Sequence, residues 1–174
     1  MKLIYISSFI ILFIIFIFGV YIKYNFEINV SDSFPKGLYK IKKEQYKKND
    51  YVVFCPPYNM YMIFAKEHGY FANYELKCGN TPKYLKKIMG VEGDKIVINE
   101  YGVYINNKKV KNSEAYKKIL SDKIFIDYEK TIILKRNEYF LMSDYNKLSY
   151  DSRYFGIIKD KNILYKVEPY IIYK

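Results

Sequence analysis

The sequence predicts a mostly β domain with few short helices, carried on one N-terminal transmembrane helix. Leu3 to Ile22 form an apolar run without charge. Past residue 24 the chain shows short runs rich in Ile, Val, Tyr and Phe, close together and separated by turns, which is typical of β-strands. No repeat and no long amphipathic helix interrupts this pattern. We therefore divide the chain into a membrane anchor, residues 1–24, and one β domain, residues 25–174.

The apolar run at the N-terminus is long enough to cross a membrane. About 20 helical residues span about 30 Å, the thickness of a bilayer hydrocarbon core. A cleavable signal peptide has a shorter apolar region followed by small residues, whereas Lys23, Tyr24 and Asn25 follow here. We therefore expect an uncleaved anchor with a lipid bilayer as its partner. The flanking lysines leave the orientation open, because long domains translocate largely regardless of charge.

Segments rich in β-branched and aromatic residues predict the strands. The strand candidates are Leu38–Ile41, Tyr51–Cys55, Met60–Ala65, Tyr84–Val91, Lys95–Asn99, Val103–Asn106, Lys123–Tyr128, Thr131–Lys135, Tyr139–Met142 and Ile163–Val167. The pair Ile96–Ile98 and Val103–Ile105, joined through Asn99–Gly102, predicts a hairpin. Asn112–Leu120 predicts one short helix, capped by Asn112 or by the serine after it.

Composition narrows the classes of partner and cofactor. The net charge is +11, a balance that suits nucleic acid or an anionic surface. The positive charge is mostly scattered lysine, so we expect no nucleic-acid partner. Two cysteines and one histidine are too few for a zinc site of these ligands alone. A cytosolic protein would keep Cys55 and Cys78 free, whereas an exported domain could pair them.

Just beyond the anchor, residues 29–39 read NVSDSFPKGLY. Pro35 and Gly37 force a tight, irregular path that can present Ser33 with its backbone N–H exposed. Taken alone, the segment is also typical of an ordinary polar turn that leads into a strand. Asp32 is adjacent to Ser33, but we expect it to point elsewhere and not to act as a base.

Residues 84–94 read YLKKIMGVEGD and place two lysines inside a strand with apolar neighbours. Desolvation disfavours a charged amine, and a neutral Lys can act as general base towards a Ser hydroxyl. Alternation does not decide between Lys86 and Lys87, because both faces of the strand are apolar. The alternative is an edge strand with solvated lysines, which protects a sheet against aggregation.

A third polar cluster lies towards the C-terminus, where Ser143–Asp144 is followed by residues 149–156, SYDSRYFG. Asp151 and Arg153 can form a charge-assisted pair that fixes a loop. Arginine is scarce in this lysine-rich chain, so its use at position 153 indicates a need for guanidinium geometry. The alternative is a surface loop with an incidental ion pair.

These three segments, in this order behind an anchor, resemble the sequence boxes of the type I signal peptidases. Ser33–Pro35 resembles the nucleophile box in a shortened form. Residues 86–94 are similar to the box whose first Lys is the general base, and residues 149–156 resemble the C-terminal Ser-x-Asp-Ser-Arg-Tyr-aromatic-Gly box. The C-terminal match is the most specific of the three.

Within that family the chain is most similar to the conjugative-transfer branch, the TraF-like peptidases, over roughly residues 29–158. The segments that carry this similarity are Ser33–Tyr39, Phe54–Pro57, Ala65–Tyr70, Cys78 and Gly102–Asn106. Lys87, Glu92 and Ile157 depart from the Arg, Pro and Pro that are usual in the family. We expect the Glu92 carboxylate to point away from Lys86, because a nearby negative charge would oppose loss of the lysine proton.

The resemblance implies a signal-peptidase-like β domain that acts as a serine endopeptidase with a Ser/Lys dyad, and it implies no metal and no cofactor. Ser33 would be the nucleophile and Lys86 the general base. The Ser33 N–H and the Ser31 hydroxyl would hold the oxyanion, and Ser149 would orient the Lys86 ammonium. The further supporting residues would be Asp151, Arg153, Gly93 and Asp94.

The resemblance also implies a Cys55–Cys78 disulfide and a single-pass protein of the cytoplasmic (inner) membrane whose catalytic domain is extracytoplasmic. The substrate would be an exported precursor bound as an extended strand, such as a pilin or another conjugative-transfer protein. Alternatives are a general housekeeping signal peptidase, a soluble-type Ser–Lys autoprotease, and a non-catalytic subunit of a secretion or pilus apparatus. The anchor argues against the autoprotease, and a non-catalytic subunit would not need Ser33 and Lys86 together.

Overall fold

The computed structural model describes residues 2–69, 71, 77–114 and 129–173. Helix α1, Lys2–Asn25, contains the predicted apolar run. Its stretch Ser8–Asn25 is long and apolar enough to cross a membrane, and none of that stretch is buried against the rest of the protein. The first strand begins at Phe26, so the chain passes from the apolar helix into the β domain without a linker.

Antiparallel sheets form the β domain. Within the described residues the strands are β1 Phe26–Asn29, β2 Gly37–Lys42, β3 Tyr51–Phe54, β4 Tyr84–Gly90, β5 Lys95–Asn99, β6 Gly102–Ile105, β7 Lys108–Lys109, β8 Lys130–Ile133, β9 Glu138–Met142, β10 Ile158–Lys159 and β11 Ile163–Ile172. The larger sheet has the order β1-β2-β11-β3-β4-β9-β10, and the smaller has the order β7-β6-β5-β8. The helices are α2 Met60–Glu67, α3 Ser152–Phe155 and a 3-10 helix at Asp160–Asn162. The predicted fold class, mostly β with few short helices, is confirmed.

Most predicted strands are present, and β5 and β6 form the predicted hairpin, with Asn99 opposite Gly102. The sequence missed the short strands β1, β7 and β10 and the helix α3. The strand predicted at Lys123–Tyr128 lies outside the described residues, as does most of the helix predicted at Asn112–Leu120. The described part of that segment, residues 112–114, is a turn followed by irregular chain.

The strand predicted at Met60–Ala65 is wrong, because this segment forms helix α2. Asn59 caps the helix: its Oδ1 accepts hydrogen bonds from the backbone N–H groups of Tyr61 and Met62, as N-cap asparagines do. Met62 and Ala65 are both fully buried. Their spacing of three is that of one helix face, and it cannot be told from a buried strand in so short an apolar run.

Apolar side chains pack in three clusters around the two sheets. The first joins α2 and α3 to the larger sheet, and the second joins the smaller sheet to β9. The third holds the loop between β1 and β2 against the larger sheet, and its buried members are Phe34, Tyr39, Val53, Leu85 and Val167. Since Phe34 directly follows Ser33, the loop that carries Ser33 is anchored in the core.

Cys55 and Cys78 form the disulfide that the resemblance implied. The bond joins the end of β3 to the segment before β4, with a sequence separation of 23 residues. In the chain-entropy model, closing a loop of this length stabilises the folded state by about 3 kcal/mol. The bond therefore stabilises the part of the larger sheet in which β3 and β4 pair.

Candidate active site

Ser33 and Lys86 meet where the loop between β1 and β2 approaches the larger sheet. The Lys86 Nζ donates a hydrogen bond to the Ser33 Oγ at 2.5 Å. Lys86 lies on β4 opposite Val52 of β3, so the pairing of two central strands fixes its backbone. Only 2% of Lys86 is exposed. A hydroxyl and an amine at this distance can pass a proton directly between them.

The environment of Lys86 destabilises the charged ammonium. Burial removes the hydration that stabilises an ammonium, and this lowers the pKa of Lys86 to about 8. The Asp151 carboxylate acts in the opposite direction and raises the pKa, while the Arg153 guanidinium lowers it further. Glu92, which departs from the family pattern, is exposed, in keeping with the expectation that its carboxylate points away from Lys86.

The structure distinguishes the two adjacent lysines that alternation left equivalent. The Lys87 Nζ contacts the Asp144 carboxylate at 2.7 Å, with both side chains partly exposed. Lys87 is therefore paired with a carboxylate, whereas Lys86 points to the partly buried hydroxyl of Ser33. Of the two, it is Lys86 that contacts Ser33.

Ser149 also contacts the candidate nucleophile. It is buried, and its Oγ donates to the Ser33 Oγ at 3.3 Å. Its contact is thus with the hydroxyl of Ser33, and its predicted role of orienting Lys86 stays a prediction. The Ser33 hydroxyl is the point at which the side chains of Lys86 and Ser149 converge.

The Ser31 hydroxyl, a predicted oxyanion donor, is held by Asn29. The Ser31 Oγ lies 2.8 Å from the Asn29 Oδ1, which also accepts the Ser31 backbone N–H. The Asn29 amide nitrogen donates to the carbonyls of Phe34 and Pro35, so its orientation leaves Oδ1 as an acceptor only. The single hydroxyl proton of Ser31 is therefore directed to Asn29 and must rotate away before it can reach an oxyanion.

Asp151 and Arg153 form a buried ion pair beneath the site, as the sequence predicted. The Arg153 Nε and Nη2 contact the two Asp151 carboxylate oxygens at 2.8 Å each, and both side chains are almost fully buried. Arg153 also donates to the carbonyls of Lys147 and Ser149, and Asp151 accepts the Ser143 N–H. The pair thereby fixes the loop that carries Ser143 and Ser149.

A cavity of about 600 Å³ opens beside Ser31. Its walls are residues 27–31, which include most of β1, and residues 82–85 at the start of β4, together with Phe71 and Lys77. β1 is an edge strand of the larger sheet, and a free strand edge can receive an extended peptide through main-chain hydrogen bonds.

Comparison with known proteins identifies the family. Residues 1–171 match the family model described as signal peptidase, peptidase S26. The chain belongs to the signal peptidase family. The plasmid transfer protein TraF of Escherichia coli is 31% identical over 144 residues, which cover 82% of this chain and 81% of TraF. Signal peptidase I V of Bacillus subtilis is 30% identical over 88 residues, 46% of this chain and 52% of that protein. The crystal structure of a signal peptidase I from Enterococcus faecalis is 20% identical in sequence to this chain, with a TM-score of 0.39. The superposition covers 73% of this chain and 98% of that chain.

In this signal peptidase family member, two of the predicted supporting residues form the turn between β4 and β5. Gly93 has a φ of +84°, a conformation that favours glycine. The Asp94 carboxylate accepts hydrogen bonds from Lys48, Asn106 and the Val91 N–H. These contacts lower the pKa of Asp94 despite its burial. Both residues shape a turn, and none of these contacts is with Ser33 or Lys86.

The sequence interpretation assigned no role to three residues that contact the turn around Ser33. Asn29 binds main-chain carbonyls from inside the turn, and Ser143 and Asn146 bind it from a neighbouring loop. Asparagine and serine at the edges of turns often bind main-chain groups, but that preference does not specify which carbonyls they reach. Among the described residues, no group of three or more His, Cys, Asp or Glu side chains could hold a metal ion.

Proposed function

We propose that this protein is a membrane-anchored serine endopeptidase that cuts exported precursor proteins with a Ser33–Lys86 dyad. The observation that carries the proposal is the 2.5 Å contact between the Lys86 Nζ and the Ser33 Oγ, with Lys86 almost fully buried. A lysine whose pKa is about 8 is neutral in about a tenth of molecules at pH 7. That fraction is sufficient for a general base, whereas an unperturbed lysine is almost wholly protonated.

The reaction is acyl transfer to Ser33 followed by hydrolysis. The Ser33 Oγ attacks the scissile carbonyl carbon, its proton passes to neutral Lys86, and the carbonyl electrons move to the oxygen. The Lys86 ammonium then gives the proton to the leaving amine as the C–N bond breaks. A water molecule, deprotonated by Lys86, hydrolyses the acyl-enzyme and restores Ser33. The Ser33 N–H, with the Ser31 hydroxyl once it has rotated, stabilises the oxyanion in both steps.

The substrate is an exported precursor that binds as an extended strand in the cavity between β1 and the start of β4. Relatives named plasmid transfer protein and conjugal transfer protein TraF favour a pilin or another conjugative-transfer protein over a general set of precursors. The disulfide between Cys55 and Cys78 supports an extracytoplasmic catalytic domain, because disulfides persist in oxidising compartments. Helix α1 would then be a single pass that keeps the site near the bilayer.

The test is processing of a pilin precursor from the same genome by the full-length membrane protein. Ser33→Ala and Lys86→Ala are compared with wild type and with Lys87→Ala, a matched control on the same strand. Lys87 pairs with Asp144 and not with Ser33, so that variant is expected to retain processing. Loss in both dyad variants, with membrane insertion intact, is the expected result. Processing by Ser33→Ala or Lys86→Ala at the wild-type rate would overturn the proposal and favour a non-catalytic subunit.

A further inference from the structure

The turn that carries Ser33 has all of its main-chain carbonyls, from residue 31 to residue 35, bound by side chains. From inside the turn, the Asn29 Nδ2, which carries two hydrogens, lies 3.2, 3.0 and 3.1 Å from the carbonyl oxygens of Ser31, Phe34 and Pro35. The Tyr39 hydroxyl donates to the Pro35 carbonyl at 2.8 Å. The two remaining carbonyls, at positions 32 and 33, are bound from outside the turn.

Those outer contacts come from the loop that follows β9. The Asn146 Nδ2 donates to the Asp32 carbonyl at 3.0 Å, and the Ser143 Oγ donates to the Ser33 carbonyl at 2.5 Å. The loop is itself fixed, because the Asn146 Oδ1 accepts the Leu148 N–H at 2.9 Å. Both contacts join residues more than 100 positions apart in the sequence, so they depend on the tertiary fold.

The bond to the Asp32 carbonyl also determines where the Ser33 N–H points. These two groups belong to one peptide unit, which is planar and trans, and no cis peptide bond occurs in the described chain. In a trans unit the C=O and the N–H point in opposite directions. Since the Asp32 carbonyl faces Asn146, the Ser33 N–H faces away from it. Within the described part of the chain, the Ser33 N–H donates to no main-chain acceptor.

We propose that Asn146 is a positioning residue for the oxyanion hole. Its amide holds the peptide unit between Asp32 and Ser33 in the orientation that leaves the Ser33 N–H free to bind the developing oxyanion. This inference rests on the proposed function, because it takes Ser33 as the nucleophile. Asn146 does not touch the substrate; it acts by preventing rotation of a peptide unit whose N–H must be aimed in advance of the reaction.

Asn146→Asp tests the positioning role by replacing the side-chain NH₂ group with an oxygen atom. The carboxylate keeps the acceptor for the Leu148 N–H but cannot donate to the Asp32 carbonyl, which it repels. Asn146→Ala removes the donor without adding a charge. Asn112→Asp is the matched control: the Asn112 Nδ2 donates to the carbonyls of residues 144 and 145 in the same loop, but it does not contact the turn of Ser33. Loss of an oxyanion donor lowers the rate by about 10²–10³, and we expect both Asn146 variants to lower kcat by about 10-fold to 10³-fold.

The readouts separate positioning from simple loss of structure. We expect KM for a peptide substrate to stay within about threefold of wild type, because the oxyanion forms only after binding. Affinity for a peptide aldehyde, which Ser33 converts to a tetrahedral hemiacetal, is expected to fall in proportion to kcat. Asn146→Ala is expected to keep the pH midpoint of wild type, since the Lys86 environment is unchanged.

Each outcome has a defined meaning. Wild-type kcat in both Asn146 variants, with Ser33→Ala inactive, overturns the inference while leaving the proposed function intact. An equal fall in kcat for Asn112→Asp also overturns it, because that result assigns the effect to the stability of the loop. Activity in Ser33→Ala overturns the proposed function itself. A fall confined to the Asn146 variants, with aldehyde affinity falling in step, supports the oxyanion role.

Discussion

Burial of Lys86 predicts that peptidase activity rises steeply with pH around pH 8. With a pKa of about 8, the neutral fraction of the amine grows from about 10% at pH 7 to about 90% at pH 9, since each unit below the pKa lowers it about tenfold. We therefore expect kcat/KM to increase roughly ninefold over this interval and then to level off. A solvated lysine, with a pKa of about 10.4, would be neutral in fewer than about 0.1% of molecules at pH 7.

The assay is cleavage of a fluorogenic peptide by the full-length protein in detergent, with kcat/KM measured from about pH 6 to pH 10. Lys87→Ala is the control and is expected to keep the wild-type midpoint, because its ammonium is paired with Asp144 away from Ser33. A profile that keeps rising beyond pH 10 would refute the role of burial. A flat profile from pH 6 to pH 9 would refute Lys86 as the base.

The same pKa predicts an effect on stability. Lowering the pKa of Lys86 from 10.5 to about 8 corresponds to about 3 kcal/mol against the folded state at neutral pH. Between pH 8 and 10.5 the unfolded chain binds the proton that the folded protein has lost, so this penalty is relieved as the pH rises. We expect Lys86→Met to be inactive yet to unfold at a higher temperature than wild type at pH 7, with the difference shrinking towards pH 10. A lower unfolding temperature for Lys86→Met at pH 7 would contradict this penalty.

Three further predictions concern Ser31, Arg153 and the Cys55–Cys78 disulfide. Loss of one oxyanion donor usually lowers the rate by about 10²–10³. Ser31→Ala is expected to lower kcat by less than about 10²-fold, because the Ser31 hydroxyl proton is already bonded to Asn29. A larger fall in the steady-state rate would contradict this expectation. Arg153→Gln leaves Asp151 buried without its partner and is expected to lower the free energy of unfolding by about 3–5 kcal/mol. The folded Arg153→Gln variant is also expected to have a higher pH midpoint of activity, because the guanidinium lowers the pKa of Lys86. Denaturant unfolding tests the loss of stability, and the pH profile of kcat/KM tests the shift of the midpoint. Reduction of the Cys55–Cys78 bond is expected to lower the unfolding free energy by about 3 kcal/mol, measured with and without dithiothreitol.

The features that the sequence predicted correctly depend on local patterns. The apolar run of α1, the hairpin of β5 and β6, and the Asp151–Arg153 pair each involve residues close in sequence. The error at Met60–Ala65 also has a local cause, because so short an apolar run fits a buried strand and a buried helix equally well. The N-cap at Asn59 was the signal that could have decided it.

The site itself required tertiary information that no local pattern contains. The alternation of side chains along β4 did not distinguish Lys86 from Lys87. Lys87 forms an ion pair with Asp144 only because the fold brings the loop of residues 143–146 next to β4. Asn146 reaches a carbonyl 114 positions away, and an asparagine in a polar loop gives no indication of that partner. The family resemblance selected Lys86, whereas the residues by themselves did not.

The ion pair of Asp151 and Arg153 explains how the site can hold a neutral lysine next to buried charges. A lone carboxylate near Lys86 would favour the ammonium, and a lone guanidinium would raise the energy of protonating it. The two charges shift the pKa of Lys86 in opposite directions, and burial is the largest of the three effects. The same pair binds the loop that carries Ser149 and Ser143, which contact Ser33. Two apolar side chains of similar size in place of Asp151 and Arg153 would preserve the packing. They would still release the loop, because the hydrogen bonds from Arg153 to the main-chain carbonyls of Lys147 and Ser149 would be lost.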